Sequence, residues 1–309
     1  MKNIVITGAS SMIGTAIAEA CLQEDTGRIY CVVRQGCQKL YRLPDNDRIR
    51  IIFCDADAYG QLPALIPEPC EVFYHIAWSV TGSARNQNLK GQAANIGYTL
   101  DAVEAAAALG CRSFIGAGSQ AEYGRLDLDR ISPDSPVHPE QAYGIAKYAA
   151  GRLAAQAAEA HGMDWHWVRI FSVYGGYDKP GTMIASAIRK MLAGEHVAFT
   201  AGEQRWDYLY SGDAGRAFYL IGSRAAGSGI YCLGSGSARP LKEYIGILAE
   251  KLGTSQLAGI GERPYGRGAV MNLCADISAL TADTGWQPGI SFEDGIAETI
   301  AVIRQTAGS

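Results

Sequence analysis

The sequence predicts an α/β protein whose core is a parallel sheet covered by helices on both faces. Short apolar runs alternate with helix-like stretches along the first 172 of the 309 residues. This alternation is typical of parallel sheets, whose successive strands are joined by crossover helices. The apolar runs are continuous, as expected of strands that are buried on both faces. Together these observations predict a doubly wound sheet.

The individual elements follow in chain order. The runs "NIVITG", "RIYCVV", "RIRIIFC", "EVFYHIAW", "SFIGAG" and "WHWVRIF" are short, apolar and often β-branched, which favours strands. Helical spacing begins at "TAIAEACLQE", and the clearest helices are the alanine-rich "GYTLDAVEAAAALG" and "AYGIAKYAAGRLAAQAAEAHG". After about residue 172, glycine and proline punctuate the loops, as in "YGGYDKPGT". We therefore expect residues 1–172 to form one domain and 173–309 a smaller, looser region, with part of 205–235 returning to the sheet.

Composition excludes several classes of protein. The net charge is −4, so no basic surface indicates nucleic acid or an anionic membrane as a partner. No apolar run reaches the roughly 18 to 20 residues needed to span a bilayer, and the amino terminus lacks the pattern of a signal peptide. The eight cysteines form no CxxC pair, and the five histidines show no ligand spacing with them. We expect a soluble cytoplasmic protein with reduced thiols and no metal site.

A glycine turn follows the first strand in "ITGASSMIG". Gly8 and Gly14 leave room for backbone N–H groups to approach a pyrophosphate at the start of the first helix. The middle glycine of the usual pattern is replaced by Ser11, which is small and can bond a phosphate. The turn predicts a Rossmann-type, NAD(P)-binding domain in 1–172. We expect 173–309 to be a mainly substrate-binding region.

Two residues at strand ends bear on the choice of cofactor. The second strand ends at Arg34, where an acidic residue would bind the ribose hydroxyls of NAD. An arginine there can bind a 2′-phosphate, which favours NADP(H), with NAD(H) as the alternative. Asp55 follows the third strand and is placed to meet the adenine. A solvated arginine and an ordinary strand-terminal aspartate are the alternatives without a cofactor role.

Tyr143 and Lys147 are four residues apart on a predicted helix and therefore share one face. A nearby ammonium stabilises a phenolate, so we expect Lys147 to lower the tyrosine pKa from about 10. Tyr143 could then transfer a proton while Lys147 also bonds the cofactor ribose. Ser119, at the end of the strand "SFIGAGS", can orient a substrate oxygen. The alternative is a surface tyrosine stacked on a lysine.

The chain resembles the extended short-chain dehydrogenase/reductase family, which comprises NAD(P)-dependent nucleotide-sugar epimerases, dehydratases and reductases. The resemblance covers almost the whole chain, through motifs such as "TGASSMIG", "HIAW", "GSQAEYG", "YGIAK", "RIFSVYG" and "DYLYSGD". It implies a catalytic trio of Ser119, Tyr143 and Lys147. It also implies a cofactor site comprising Gly8, Ser10, Ser11, Met12, Ile13, Gly14, Ile76, Ala77 and Asn95.

Departures from the family pattern bear on the reaction. Dehydratases of the family carry Asp and Glu where this chain has Gln120 and Ala121, so dehydration is disfavoured. Glu122 follows one step out of register, as a loop charge would. Ser172 replaces an asparagine that contacts the substrate diphosphate in many relatives. With Gln120, we count it among the candidate substrate-binding residues.

The segment "EQRWDYLYSGD" resembles the substrate-facing segment of the family. Trp206 and Tyr208 could pack on a sugar or base, and Arg205 could meet a phosphate. The alternative is a half-buried strand, because Trp206, Tyr208 and Tyr210 alternate. The "WDYLY" form is similar to that of relatives that reduce a 4-keto deoxysugar.

We therefore expect an NAD(P)-dependent oxidoreductase or epimerase that acts at C4 of a nucleotide-linked sugar. A reductase would consume NADPH, whereas an epimerase would retain NAD. A non-catalytic sensor or scaffold is a third hypothesis, disfavoured because Tyr143 and Lys147 are both present. Alanine stripes in two helices favour a homodimer, with internal packing as the alternative.

Overall fold

The computed structural model describes residues 1–266 and 268–307, so residues 267, 308 and 309 of the predicted second region lie outside it. The strands are β1 (Ile4–Thr7), β2 (Ile29–Val33), β3 (Ile49–Phe53), β4 (Val72–His75), β5 (Ser113–Ser119), β6 (Asp164–Ile170), β7 (Ser172–Tyr174), β8 (Val197–Phe199), β9 (Arg205–Trp206), β10 (Tyr208–Tyr210), β11 (Gly229–Leu233), β12 (Arg239–Pro240), β13 (Ala258–Ile260) and β14 (Asn272–Leu273). The helices are α1 (Met12–Leu22), α2 (Leu62–Leu65), α3 (Leu89–Ala108), α4 (Ala142–Ala160), α5 (Met183–Leu192), α6 (Ser211–Arg224), α7 (Leu241–Leu252), α8 (Ser278–Thr284) and α9 (Phe292–Ala307). Short 3₁₀ turns include Gly82–Asn86 and Gln120–Glu122.

The central sheet confirms the predicted Rossmann-type fold. It has seven strands in the order β11-β6-β5-β4-β1-β2-β3, and every neighbouring pair is parallel. The order reverses between β1 and β4, where ligands bind at the carboxyl ends of strands in such sheets. β11, which lies within 205–235, pairs with β6 at the edge of the sheet.

Helices cover both faces of the sheet. On one face α1 and α6 pack together over a core that includes Ile6, Ile17 and Phe218. On the other face α3 and α4 pack together, and alanines such as Ala102 and Ala154 are fully buried against the strands. The alanine stripes thus have partners within the chain, which fits internal packing.

The edge strand β3 differs from the sequence expectation of full burial. Its residues Ile51 and Phe53 are 40% and 42% exposed. β3 pairs with β2 on one side only, and an edge strand has less cover than a central one. A continuous apolar run therefore predicts the strand correctly but overestimates its burial.

The C-terminal region begins immediately after β6 and has its own core. β7 pairs with β10 in parallel, and β9 joins β12 and β14 in a small sheet. Helices α5, α7 and α9 bury Ile188, Ile245 and Ile296 against one another. Since β7 starts two residues after the end of β6, this region stands next to the carboxyl end of the main sheet.

The described residues contain neither a membrane-spanning helix nor a cluster of metal ligands. None of their helices combines the length and apolar character needed to cross a bilayer. None of their His, Cys, Asp and Glu side chains gather in threes as a metal site would require.

Candidate active site

The glycine turn after β1 packs its backbone closely against neighbouring backbone. Gly8 has φ of +66°, and a Cβ there would lie 2.8 Å from the Cα of Ala77. A Cβ on Gly14 would lie 2.4 Å from the carbonyl oxygen of Gly8. A side chain at either position would overlap the neighbouring backbone, so the two glycines allow β1, the turn and the start of α1 to pack closely. A backbone turn of this kind at a helix N-terminus fits a pyrophosphate.

Ser11, which replaces the middle glycine of the usual pattern, is the N-cap of α1. Its side-chain oxygen accepts a hydrogen bond from the backbone N–H of Gly14 at 3.1 Å. The serine thus satisfies one free N–H group of the helix and stays exposed beside the turn. Met12 and Ile13 form the first helical positions and are half-buried.

The loop after β4 is held against this turn by buried polar groups. Thr7 and His75 share a hydrogen bond of 2.9 Å between Oγ1 and Nδ1. Burial lowers the pKa of His75 to about 3, and the charge of Lys147 adds to this effect, so the imidazole is neutral. The loop backbone at Ile76 and Ala77 continues from there, with Ala77 N donating to Thr7 Oγ1 at 3.4 Å.

Asn95 on α3 holds the next part of the same loop. Its side-chain oxygen accepts from Ser79 N at 2.8 Å, and its amide donates to Ser79 O at 3.1 Å. The residue is 2% exposed. In this structure Asn95 therefore holds the backbone of the loop after β4.

Cations lie at the end of β2, next to the glycine turn. Arg34 is exposed, and the following residue, Gln35, donates its backbone N–H to Asp55 Oδ1 at 3.1 Å. Arg42 reaches the turn itself, since its guanidinium donates to Ser10 O at 3.5 Å. The sequence analysis missed Arg42; its only signal is the basic content of the loop "RQGCQKLYR".

The predicted trio converges at the end of β5. Ser119 is the last residue of that strand, and Tyr143 and Lys147 stand on the first turns of α4. Ser119 Oγ accepts from Ala121 N at 3.2 Å, and the Ser119 side chain also interacts with that of Tyr143. The backbone N–H of Tyr143 donates to Asn86 Oδ1 at 3.2 Å, which fixes the start of the helix against the Gly82–Asn86 turn.

The pKa of Tyr143 differs in direction from the sequence expectation. Burial raises it, while the Ser119 side chain and the charge of Arg85 act in the opposite direction. The ammonium of Lys147 instead donates to Ala117 O at 2.6 Å and lies 3.7 Å from the centre of the Trp78 ring. It is 6.0 Å from the centre of the Tyr143 ring. The expected lowering of the Tyr143 pKa by Lys147 is therefore wrong for this structure. Desolvation of the phenolate is the largest effect, and the groups that oppose it are Ser119 and Arg85.

The pKa of Lys147 is also shifted from its ordinary value. It is 3% exposed, and burial lowers its pKa to about 7, with Glu122 opposing the shift and Lys179 adding to it. A lysine in this range changes its charge near neutral pH. Perturbed groups of this kind cluster at functional sites.

Glu122 is a buried ion-pair partner, whereas the sequence suggested a loop charge. Its carboxylate lies 2.9 Å from Arg169 Nε, and both side chains are 2% exposed or less. It also accepts from the backbone N–H of Ser119 at 2.8 Å. No local sequence signal indicates this, because Arg169 is 47 residues away along the chain.

Ser172 and Trp206, two predicted substrate-binding residues, meet in the structure. The indole N–H of Trp206 donates to Ser172 Oγ at 2.7 Å. Ser172 comes two residues after Ile170, which is paired with Ser119 in the parallel ladder. The pair therefore lies at the same end of the sheet as the trio.

Other predicted substrate residues are placed differently. Tyr208 packs into the C-terminal core, with its ring 5.1 Å from that of Tyr244. This placement fits the alternative interpretation, in which Tyr208 belongs to a half-buried strand and does not contact substrate. Arg205 is exposed and donates to Ala238 O at 2.5 Å. Gln120 is half-buried on the turn that follows Ser119.

Two further cations border the trio. The guanidinium carbon of Arg85 lies 5.1 Å from the centre of the Tyr143 ring. Lys179 is close enough to Lys147 and Arg85 to interact with both charges. Among the described residues, neither Arg85 nor Lys179 forms an ion pair within 4.0 Å. These charges favour an anionic ligand in the crevice.

A separate groove of about 710 Å³ lies in the C-terminal region, between Tyr208, Arg239, Tyr244 and the start of α9. It contains none of the three residues of the trio. The trio lies apart from this groove, at the carboxyl end of β5.

The model of the "NAD dependent epimerase/dehydratase family" matches residues 4–234. The match includes the glycine turn, Ser119, Tyr143 and Lys147. This chain belongs to that family, which consists of nucleotide-sugar epimerases and dehydratases of the extended short-chain dehydrogenase/reductase type.

The curated relatives include both dehydratases and epimerases. The chain is 25% identical to a dTDP-glucose 4,6-dehydratase of Streptomyces griseus over 67% of its own length and 63% of that protein. It is 24% identical to a UDP-glucose 4-epimerase of Mycolicibacterium smegmatis over 97% of its own length and 98% of that protein. The match thus spans less than two thirds of the first relative and nearly all of the second.

Solved structures share the whole fold. The UDP-glucose 4-epimerase of Thermotoga maritima, solved with UDP-glucose, has a TM-score of 0.86 and 23% identity, with 99% of each chain covered. MoeE5 in complex with UDP-glucuronic acid and NAD has a TM-score of 0.84 and 26% identity, with 98% of this chain and 99% of that one covered.

Proposed function

We propose that this protein transfers hydride between a nicotinamide cofactor and C4 of a nucleotide-linked sugar. The observation that carries the proposal is the convergence of Ser119, Tyr143 and Lys147 at the end of β5. A hydroxyl, a phenol and an ammonium at this edge of the sheet form a proton-transfer group beside the cofactor crevice.

The residues of the turn fit a dinucleotide. Gly8 and Gly14 allow the turn to pack closely, and Ser11 and the first N–H groups of α1 would bond the pyrophosphate. Lys147 would bond the nicotinamide ribose. When bound, the nicotinamide supplies the hydride acceptor and donor.

Tyr143 acts on the proton of the C4 oxygen. As the phenolate it removes that proton while the carbon is oxidised, and as the resulting phenol it returns the proton while the carbon is reduced. Ser119 Oγ accepts from Ala121 N, and its own hydrogen, which faces the Tyr143 oxygen, would be shared with the sugar oxygen when substrate binds. Lys147, when charged, stabilises the phenolate form of Tyr143.

Dehydration is disfavoured. Elimination of water needs an acid and a base in addition to the tyrosine. The residues after Ser119 are Gln120 and Ala121, and the carboxylate of Glu122 is engaged by Arg169 and fully buried.

Epimerisation with a retained NAD is the first version of the proposed reaction. A UDP-glucose 4-epimerase matches over nearly its full length, as does a dTDP-glucose 4,6-dehydratase of Haemophilus influenzae. MoeE5, a similar structure, was solved with NAD. Reduction of a 4-keto deoxysugar by NADPH is the second version. Arg34, exposed at the end of β2 where a 2′-phosphate would lie, favours it.

The cations at the crevice support an anionic substrate such as a sugar nucleotide. Arg85 and Lys179 stand beside Tyr143 and Lys147, respectively. Ser172 and Trp206 bond each other on the adjoining strands. We infer that the diphosphate is held by these side chains, with Ser172 in place of the family's asparagine.

The test combines cofactor analysis with turnover. Nucleotide released from the denatured protein is identified by mass spectrometry, and a panel of nucleotide sugars and 4-keto sugar nucleotides is assayed by NMR and by NADPH absorbance. Retained NAD with sugar interconversion supports the epimerase, and stoichiometric NADPH consumption supports the reductase. No conversion of any member would contradict the proposed function.

We also propose a homodimer. Ile145 and Leu153 on α4 are 50% and 41% exposed, and burying them against a second copy would remove apolar area from water. Light scattering should give twice the chain mass of 32.9 kDa. The double change of Ile145 and Leu153 to glutamate should halve that value.

A further inference from the structure

We propose that Glu122 is a positioning residue of this active site. Its buried carboxylate, which is ion-paired with Arg169, fixes the backbone of Ser119 and also acts electrostatically on Lys147. This proposal rests on the proposed function, in which Ser119 and Lys147 assist Tyr143. Glu122 itself touches no reacting atom in that scheme.

The first link is a reciprocal pair of hydrogen bonds at the turn. The Glu122 Oε1 atom accepts from the backbone N–H of Ser119 at 2.8 Å, while Ser119 Oγ accepts from Ala121 N at 3.2 Å. The two bonds form a capping box on the 3₁₀ turn that follows β5. The position of the serine hydroxyl therefore depends on the carboxylate.

The second link holds the carboxylate from the neighbouring strand. Trp167 Nε1 donates to Glu122 Oε1 at 2.9 Å, and Arg169 Nε donates to Oε2 at 2.9 Å. Glu122 is 0% exposed and Arg169 2%. A buried charge keeps its ionised form only when it is paired and hydrogen-bonded in this way.

Glycines make room for this arrangement. A Cβ on Gly116, Gly118 or Gly151 would come within 2.2, 2.4 or 2.7 Å, respectively, of atoms of the Trp167 ring. The indole is therefore closely confined between β5, β6 and α4. Because the indole is confined, its N–H group holds the Glu122 carboxylate in one position.

The third link is electrostatic. The charged and titratable groups around Lys147 are Glu122 on the turn, Lys179 before α5, Tyr143 on the same helix and the neutral His75 at the end of β4. Burial and Lys179 lower the pKa of Lys147, and Glu122 is the group that opposes them. Without the carboxylate, Lys147 would lose its proton at a lower pH, and its support of the phenolate would be lost near neutral pH.

Glu122→Gln tests this link because it keeps the size of the side chain and removes the charge. NMR of lysine ε-carbons follows the protonation of Lys147 directly, with Lys147→Arg to assign the signal. The midpoint should be about 7 in the native protein and lower by about one pH unit or more in the variant. Turnover by the variant should recover in part at pH below 7. An unchanged midpoint would overturn the proposal.

Two further variants separate charge from position. Glu104→Gln removes an exposed carboxylate that pairs with His161 at 2.9 Å and should leave the midpoint unchanged. Glu122→Asp keeps the charge but is one methylene shorter, so the midpoint should stay near its native value while kcat falls about 10-fold with little change in KM. A native kcat in Glu122→Asp would contradict the positioning role. If Glu122→Gln does not fold, Glu122→Asp alone tests the proposal.

The titration needs no substrate. Its outcome is therefore separate from that of the proposed function, which fails only if the native protein converts no nucleotide sugar.

Discussion

The ammonium of Lys147 lies 3.7 Å from the centre of the Trp78 ring and donates to Ala117 O at 2.6 Å. The same Trp78 ring meets that of Tyr143 edge-on at 6.2 Å. An aromatic face and a backbone carbonyl thus hold a buried cation one helical turn from the candidate proton-transfer group. Burial at this position destabilises the charged form of Lys147. The stability of the protein should therefore depend on pH through this residue.

Lys147→Met should stabilise the protein in a pH-dependent way. An unfolded lysine titrates near about 10.4, whereas burial lowers the pKa of Lys147 to about 7. Between these values the folded protein binds fewer protons than the unfolded chain, so this lysine makes stability rise with pH. The gain in Tm of the variant should therefore be largest below pH 7 and vanish towards pH 10. Thermal melts at pH 6, 8 and 10 measure it.

Lys190→Met is the matched control, because Lys190 is exposed on α5. It should give a small difference in Tm that is the same at all three pH values. A constant difference for Lys147→Met would mean that the buried lysine keeps an ordinary pKa.

Gly14→Ala should abolish cofactor binding. The new Cβ would lie 2.4 Å from Gly8 O, and backbone movement to relieve the overlap should cost about 1–3 kcal/mol of unfolding free energy. Gly246→Ala in α7 is the control, since its Cβ meets nothing within 4 Å. The control should gain about 0.5–1 kcal/mol from helix propensity. Titration of NAD and NADPH by calorimetry, with chemical denaturation of each variant, checks both effects.

Arg34→Asp should change the choice of cofactor. If Arg34 binds a 2′-phosphate, the Kd for NADPH should rise about 10-fold or more, because a charge-assisted hydrogen bond is lost. The Kd for NADH should rise less or fall. Arg50→Asp, an exposed arginine on β3, should affect neither. An equal rise in the Kd values for NADPH and NADH would show that Arg34 does not bind the 2′-phosphate.

Much of the fold follows from local sequence patterns. Continuous apolar runs predict the central strands, and the glycine turn predicts the start of α1 and the end of the sheet that binds ligands. The order of Ser119, Tyr143 and Lys147 along the chain predicts their convergence, because parallel strands and crossover helices bring these positions to one edge.

Properties that depend on three-dimensional packing could not be predicted in this way. The pKa of Tyr143 is raised because the ring is buried, which no spacing reveals. Glu122 is paired with Trp167 and Arg169, 45 and 47 residues away. Tyr208 lies in a core built from three helices of the C-terminal region. The alternation along its strand could not distinguish this structural role from contact with a substrate.

The central claim is that Tyr143 transfers the proton that accompanies hydride transfer. Tyr143→Phe removes one oxygen atom, and Tyr148→Phe removes the same atom from a half-buried tyrosine on the same helix. Initial rates are measured on the nucleotide sugar that the native protein converts. The account predicts that kcat falls about 100-fold or more for Tyr143→Phe and stays close to native for Tyr148→Phe. Native turnover by Tyr143→Phe would contradict the account.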